Sequence, residues 1–211
     1  MNILYLDPYS DTSYSKRYLY YEGLYNSLIK TNNVYLHRDL IIDYNEIKKE
    51  IPFRPDVAIF GLSWFEKHKY FDKINNLDVP SVCFIFKPAA DLQKKIDFCK
   101  INQIGLILTP HNQFEKFSEM ADVPAKLFLY GFDPSIFKPR NLEKKYDIML
   151  GGCISKHYPL RIRLIKILQK LAHKYRCHIH RHPGYEHNDA YTDKYLIDFA
   201  KKINESKFSI I

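Results

Sequence analysis

The residues best suited to chemistry lie where an apolar run, 146–150, meets Gly151 and Gly152. Glycine has no side chain, so it lets a bulky anion approach the backbone closely. A short loop follows, and Pro159 then marks the first position of a predicted helix. Backbone N–H groups at a helix start attract phosphate, and Arg161 in the first turn adds a forked, charged contact. This pattern fits a diphosphate site. Two glycines are a weak pattern, however, and on spacing alone a plain strand–turn–helix with solvated basic side chains fits slightly better.

A histidine-rich segment follows the next predicted strand, 176–180. His178, His180 and His182 alternate, so they share one face if the strand continues, and three imidazoles can bind zinc. Pro183 ends the strand before His182 is in register, and we therefore expect no metal site.

The loop beyond that strand contains Pro183, Gly184 and Tyr185. Loops at the carboxyl ends of strands are where open α/β sheets bind ligands. We expect these three residues to line a nucleotide pocket, with Tyr185 stacking or packing; the alternative is an ordinary turn.

Polar residues also follow predicted strands in the first part of the chain. His111 is a candidate general base, because imidazole titrates near neutral pH, and capping of the next helix is its alternative role. Lys87 follows another strand end, Asp7 lies at the end of the first strand, and Tyr9 follows it. We assign these three residues to the side that contacts an acceptor molecule, with capping or loop roles as the alternatives.

Apolar runs alternate with helical patterns along the chain. The predicted strands are 2–7, 34–37, 56–61, 80–86, 104–108, 125–130, 146–150, 176–180 and 208–211, and the predicted helices are 18–30, 44–51, 90–100, 112–120, 159–174 and 191–204. In the helix 159–174 we expect one inward face made of Leu160, Leu164, Ile167, Leu168 and Leu171. Because the strand runs are continuously apolar, we predict a doubly wound parallel sheet, an α/β fold of Rossmann-like type.

The polar connector 131–145, which contains two prolines, predicts a domain boundary. We expect a first Rossmann-like domain over 1–138, a linker over 139–145, and the first half of a second such domain over 146–211. That second part is about 70 residues, which is short for a doubly wound domain and suggests a truncated chain. One continuous sheet with a long loop is the alternative.

Charge is concentrated in the last third of the chain. The whole sequence has 32 basic and 24 acidic residues; residues 141–211 have 14 and 7, whereas 1–140 have 18 and 17. This asymmetry indicates an anionic partner for the last third, such as a phosphate or a nucleic acid. A solvated basic face is the alternative, and the core spacing of the aromatic residues there makes nucleic acid a poor fit.

Several classes of protein are excluded by pattern. No run of about 18 apolar residues exists, and the start lacks the pattern of a signal peptide. The four cysteines form no close pair and fit reduced thiols in the cytoplasm. There is no Gly-x-Gly-x-x-Gly, no Gly-Lys-Ser/Thr and no Asp-x-Asp, so a dinucleotide dehydrogenase, a P-loop nucleotidase and a metal-bridged sugar nucleotide of that type are not supported. A receiver-like domain is also not supported, because only Asp7 follows the first strand.

The order of segments resembles the GT-B glycosyltransferases, closest to the CgeB-like and group 1 families. The segments that carry the resemblance are 108–110 (Leu-Thr-Pro), 130–139 (Tyr-Gly-Phe-Asp-Pro-Ser-Ile-Phe-Lys-Pro), 146–152 (Tyr-Asp-Ile-Met-Leu-Gly-Gly), 158–161 (Tyr-Pro-Leu-Arg) and 203–210. The resemblance is good over 104–211 and is one of pattern alone over 1–103.

The resemblance implies transfer of a sugar from a nucleotide-sugar donor to a sugar, lipid or protein acceptor, with no cofactor and no metal at the centre. It places Gly151, Gly152 and Arg161 at the donor diphosphate. The base is usually held where the loop 183–185 lies. The acidic residue that holds the donor's sugar or ribose in the family would lie beyond Ile211, so we expect feeble turnover from these 211 residues. The rival class is a non-catalytic module that binds nucleotides or polyanions.

Overall fold

The computed structural model describes residues 1–7, 22–38, 43–61, 74, 76–85, 91–129, 131–156, 158–181 and 193–211. The chain divides into two compact units, Met1–Gly131 and Phe132–Ile211. The segment 139–145, predicted to be a linker, therefore falls inside the second unit.

The first unit is built on a six-stranded parallel sheet. Its strands are β1 (Asn2–Leu6), β2 (Asn33–His37), β3 (Val57–Phe60), β4 (Ser81–Phe84), β5 (Leu106–Thr109) and β6 (Ala125–Leu127), and its helices are α1 (Glu22–Leu28), α2 (Tyr44–Glu50), α3 (Leu92–Ile101) and α4 (Phe114–Ala121). The strands lie in the order β2-β1-β3-β4-β5-β6, and every pair is parallel. In this doubly wound order, β2 lies on one side of β1, and the strands from β3 onward are added on the other side.

Both faces of this sheet are covered. Alternate residues of a strand point to opposite faces, and in β1 they enter two different apolar clusters. Leu4 and Leu6 pack in the cluster that contains side chains of α2, α3 and α4, whereas Ile3 and Tyr5 pack in the cluster that contains those of α1. The continuously apolar strand runs are thereby explained, and the prediction of an α/β, Rossmann-like fold is confirmed for this unit.

The second unit has a smaller parallel sheet. Its elements are β7 (Tyr146–Gly152), α5 (Pro159–Leu171), β8 (Cys177–Arg181), α6 (Asp193–Asn204) and β9 (Ser206–Ile210). The strands lie in the order β8-β7-β9. Strand β7 is therefore central, with β8 and β9 parallel to it on opposite sides, and the strand order reverses between β7 and β9. No helix in the described part of either unit is long and apolar enough to cross a membrane.

The predicted inward face of α5 was wrong at two positions. Leu160 and Ile167 are 67% and 50% exposed, whereas Leu168 is buried. In the first turn, Arg161 is turned toward the end of β7 in place of Leu160. The prediction placed Leu160 on the inward face because leucine is apolar. In the structure, the guanidinium of Arg161 instead occupies the space left by the missing side chain of Gly152.

Candidate functional site

The predicted diphosphate residues lie at the carboxyl edge of the second sheet. Gly152 is the last residue of β7 and pairs with Arg181, the last residue of β8. On the other side of β7, Leu150 pairs with Ile210 of β9. This edge includes the point between β7 and β9 where the strand order reverses, and open α/β sheets bind ligands at such points.

Gly151 is needed for packing between the sheet and α6. A Cβ added to Gly151 would lie 2.7 Å from Cε2 of Phe199, a contact too short for real atoms. The space that its missing side chain leaves open is thus taken by an aromatic ring. Any contact that Gly151 makes with an anion must use its backbone alone.

Gly152 has a different role, because it faces Arg161. Its φ of 107° lies in a region that side chains strongly disfavour. A Cβ added here would lie 2.9 Å from the guanidinium carbon of Arg161 and 3.0 Å from Nη2. The guanidinium therefore rests directly on the backbone at the end of β7, and only glycine leaves room for it.

Two further contacts hold Arg161 in this position. Its Nη1 donates a hydrogen bond to the carbonyl oxygen of Cys153 at 3.2 Å. Its guanidinium carbon lies 4.8 Å from the centre of the Tyr158 ring, within the range of a cation–π contact. Among the residues that the structure describes, no carboxylate lies within ion-pair distance of Arg161, so its charge is available to an anion.

The local sequence explains why the helix begins here. Pro159 occupies the first position of α5, where its missing N–H costs nothing. Tyr158 precedes it without making a side-chain cap, and no acidic residue lies in the first turn. This turn therefore keeps the positive character of a helix start.

The two histidines of β8 face the opposite side of the sheet from Arg161. His178 stacks on Tyr146 with ring centres 4.6 Å apart, and His180 lies 5.1 Å from the ring of Phe199. The Nε2 atoms of both are buried without a hydrogen-bond partner, and burial lowers the pKa of both imidazoles. These histidines act as aromatic packing against α6. His182 lies outside the described residues, among which no group of three possible metal ligands occurs.

Four basic side chains of the second unit pair with two carboxylates. The pairs are Lys145–Glu205 at 2.9 Å, Lys202–Glu205 at 3.1 Å, Arg176–Asp147 at 3.5 Å and Lys207–Asp147 at 2.8 Å. Hydrogen bonds from Lys145 and from Lys207, respectively, are the main reason that the pKa values of Glu205 and Asp147 are lowered. Part of the basic excess in the last third is thus structural, since Glu205 is buried.

In the first unit, Asp7 and His111 both follow strands. Asp7 is buried just after β1; its backbone N–H donates to His37, and its carbonyl oxygen accepts from Nε of Arg38. His111 is exposed two residues beyond β5, and its backbone N–H donates to the hydroxyl of Thr109. Their positions at the carboxyl edge of the first sheet are those that the sequence predicts.

The remaining predicted residues lie outside the described part of the chain. These are Tyr9 and Lys87 on the acceptor side, and Pro183, Gly184 and Tyr185 in the loop after β8.

The sequence analysis assigned no role to two residues of this edge, Arg181 and Tyr158, although Tyr158 belongs to the segment 158–161 that carries the resemblance. The alternation in β8 carried a signal for Arg181, since a residue next to His180 must face the other side of the sheet.

Comparison with known proteins adds no relative. No protein-family model, no curated protein and no solved structure matches this chain.

Proposed function

We propose that this chain is a GT-B-type glycosyltransferase, or part of one, that uses a nucleotide-sugar donor. Its second unit binds the donor's diphosphate at Gly152 and Arg161, and its first unit supplies the acceptor side. The fold supports this proposal at the coarse level, because each unit has a parallel sheet whose strand order reverses, and open α/β sheets in general bind ligands at the carboxyl edge.

One observation carries the proposal. The guanidinium carbon of Arg161 lies 2.9 Å from the position that a Cβ on Gly152 would occupy. No carboxylate among the described residues pairs with this guanidinium. An arginine held in one place, at a strand end and in the first turn of a helix, matches the charge and fork geometry of a phosphate group.

The chemistry of sugar transfer gives this cation its task. The acceptor's hydroxyl oxygen forms a bond to the anomeric carbon, while the bond from that carbon to the diphosphate oxygen breaks. The electron pair leaves with the nucleoside diphosphate, so negative charge develops there. Arg161 stabilises that charge as it forms, and a fixed cation does so without moving.

The acceptor must lose its hydroxyl proton in the same reaction. In this proposal a side chain on the acceptor side takes that proton, and His111, exposed beyond β5, is the candidate. The carboxylate of Asp7 would contact acceptor hydroxyl groups at the end of β1.

Calorimetric titration of the purified chain with UDP, GDP, ADP, CDP and dTDP tests the binding half of this proposal. At least one should bind, and Arg161→Ala should weaken it by ~1.5–3 kcal/mol, the typical value of a hydrogen bond to a charged group. Lys166→Ala is the matched control, because Lys166 is an exposed cation of the same helix and should not change the affinity. Absence of binding to every nucleotide, or equal binding by the Arg161 variant, would refute the proposal.

The basic excess of the last third favours a second candidate, a module that binds polyanions. The ion pairs around Asp147 and Glu205 weaken it, because they occupy four of those basic groups. A salt titration with a single-stranded DNA oligonucleotide separates the two. A steep dependence of its affinity on salt, with no nucleotide bound, would support the polyanion module.

A further inference from the structure

A second arginine lies on the same face of the sheet as Arg161. Arg181 pairs in register with Gly152, and paired residues of parallel strands point their side chains to the same face. Arg161 lies on the side of Gly152 to which a Cβ would point. The side chain of Arg181 therefore leaves β8 on the face that holds the guanidinium of Arg161.

Contacts on the other face of the sheet independently support this orientation of Arg181. His180 packs its ring against Phe199 of α6, and a Cβ on Gly151, its register partner, would meet the same ring. Because successive residues alternate, Gly152 and Arg181 must both face away from α6. One face of this edge is thus aromatic, and the opposite one bears two arginines.

Neither arginine has an acidic partner in the part of the chain that the structure describes. Within the described residues, no carboxylate lies within ion-pair distance of Arg161 or Arg181, and Arg181 is exposed. Neighbouring strands are only about 4.8 Å apart, so the backbone of Arg181 lies about one strand spacing from Gly152, where the guanidinium of Arg161 lies. An anion that contacts both side chains would neutralise both charges.

We infer that Arg161 and Arg181 form one two-armed anion site, and that Arg181 makes this site select a diphosphate over a single phosphate. A monophosphate is held by the arm of Arg161 at Gly152, whereas a diphosphate also reaches the second arm from β8. Each guanidinium can give a phosphate two parallel hydrogen bonds. The inference deepens the proposed function and rests on it for the identity of the ligand.

The test compares nucleoside diphosphates with monophosphates on the full 211-residue chain. UDP, GDP and ADP are titrated beside UMP, GMP and AMP, and the best-binding base is used for the variants. Arg181→Ala should weaken the diphosphate by about tenfold or more and the monophosphate by less than about threefold. Arg181→Lys should recover part of the loss, since it restores the charge without the fork. Lys166→Ala again controls for loss of one positive charge, and thermal unfolding checks that each variant is folded.

The outcomes separate this inference from the proposed function. If the wild-type chain binds no nucleoside diphosphate, both are refuted. If it binds one and Arg181→Ala leaves that affinity unchanged, the two-armed site is refuted while the proposed function stands. An equal loss for diphosphate and monophosphate would also overturn the selectivity assigned to Arg181. If the alanine variant fails to fold, Arg181→Lys and Arg181→Gln decide by the same ratio of affinities.

Discussion

At the scale of single residues, the two adjacent glycines have separate reasons to be glycine. The empty side of Gly151 is filled by Phe199 of α6, and that of Gly152 by Arg161 of α5. The pair thus serves both faces of one sheet. The sequence alone does not show that the two glycines have different roles, because the helix that each glycine contacts depends on how the helices pack on the sheet.

Alanine substitutions distinguish these roles. Gly152→Ala should destabilise the second unit by ~1–3 kcal/mol, since its φ of 107° is strained for any side chain, and should also displace Arg161. Because Arg161 is displaced, the Gly152→Ala variant should also have a lower affinity for a nucleoside diphosphate. Denaturant unfolding followed by circular dichroism measures the first effect, and calorimetry measures the second.

Gly151→Ala is the matched control. It should destabilise the unit through its clash with Phe199 while leaving nucleotide affinity unchanged. Phe199→Leu should recover stability in the Gly151 variant and not in the Gly152 variant, because only the former clashes with that ring. Recovery in both variants, or a nucleotide effect from Gly151→Ala, would contradict the assignment.

At the scale of elements, β8 carries a sensitivity to acid. Burial, and to a lesser extent Lys202, lower the pKa of His178, while Asp198 and Glu205 oppose this shift. Burial also lowers the pKa of His180, assisted by His178 and Lys202 and opposed by Asp198. Unfolded histidine takes up its proton near pH ~6.5. As pH falls through that value, the unfolded chain binds protons that the folded chain resists, so the free energy of unfolding decreases.

This dependence can be measured by unfolding the protein in urea between pH 7.5 and pH 5.5. The double variant His178→Phe, His180→Phe keeps aromatic rings at both positions and should flatten the loss of stability over that interval. The control is His173→Phe, which removes an exposed imidazole outside β8. An unchanged slope in the double variant would show that these histidines are not the titrating groups.

The order of elements could be predicted from the sequence, but not their order in space. Apolar runs and helical periodicity identify every described strand and helix, with most ends shifted by a few residues. The run 125–130, for example, forms a strand only over Ala125–Leu127. Periodicity carries no information on which strands are neighbours, so the central place of β7 could not be predicted. The alternation in β8 places Arg181 on the face opposite to His180, but its pairing with Gly152 depends on that spatial order, and this is why the sequence analysis gave Arg181 no role.

At the scale of the whole molecule, the two units differ in how much apolar surface they bury. In the described part of the second unit, the buried apolar side chains are Met149, Leu150, Leu168 and Ala200, whereas those of the first unit form two clusters around six strands. Burial of apolar surface is the main stabilising contribution in folding. We therefore expect the second unit to be the less stable one.

Hydrogen exchange can locate this difference along the chain. Amides of β1 and β3 should exchange slowest, and those of β7 and β8 should exchange faster by a factor that reflects the smaller core. A bound nucleoside diphosphate should slow exchange in β7 and the start of α5 and leave β1 unchanged. Equal protection of the central strands in both units without ligand would contradict the expected order of stability.

The contacts that hold Arg161 in place lower the entropic cost of binding an anion. A free arginine has about 2 kcal/mol of rotamer entropy, part of which is lost when a ligand immobilises it. Here the Gly152 backbone, the Cys153 carbonyl and the Tyr158 ring have already restricted that side chain before any anion arrives. The entropic cost of ordering this cation is thus met during folding, so more of the favourable enthalpy of the phosphate contact remains as affinity.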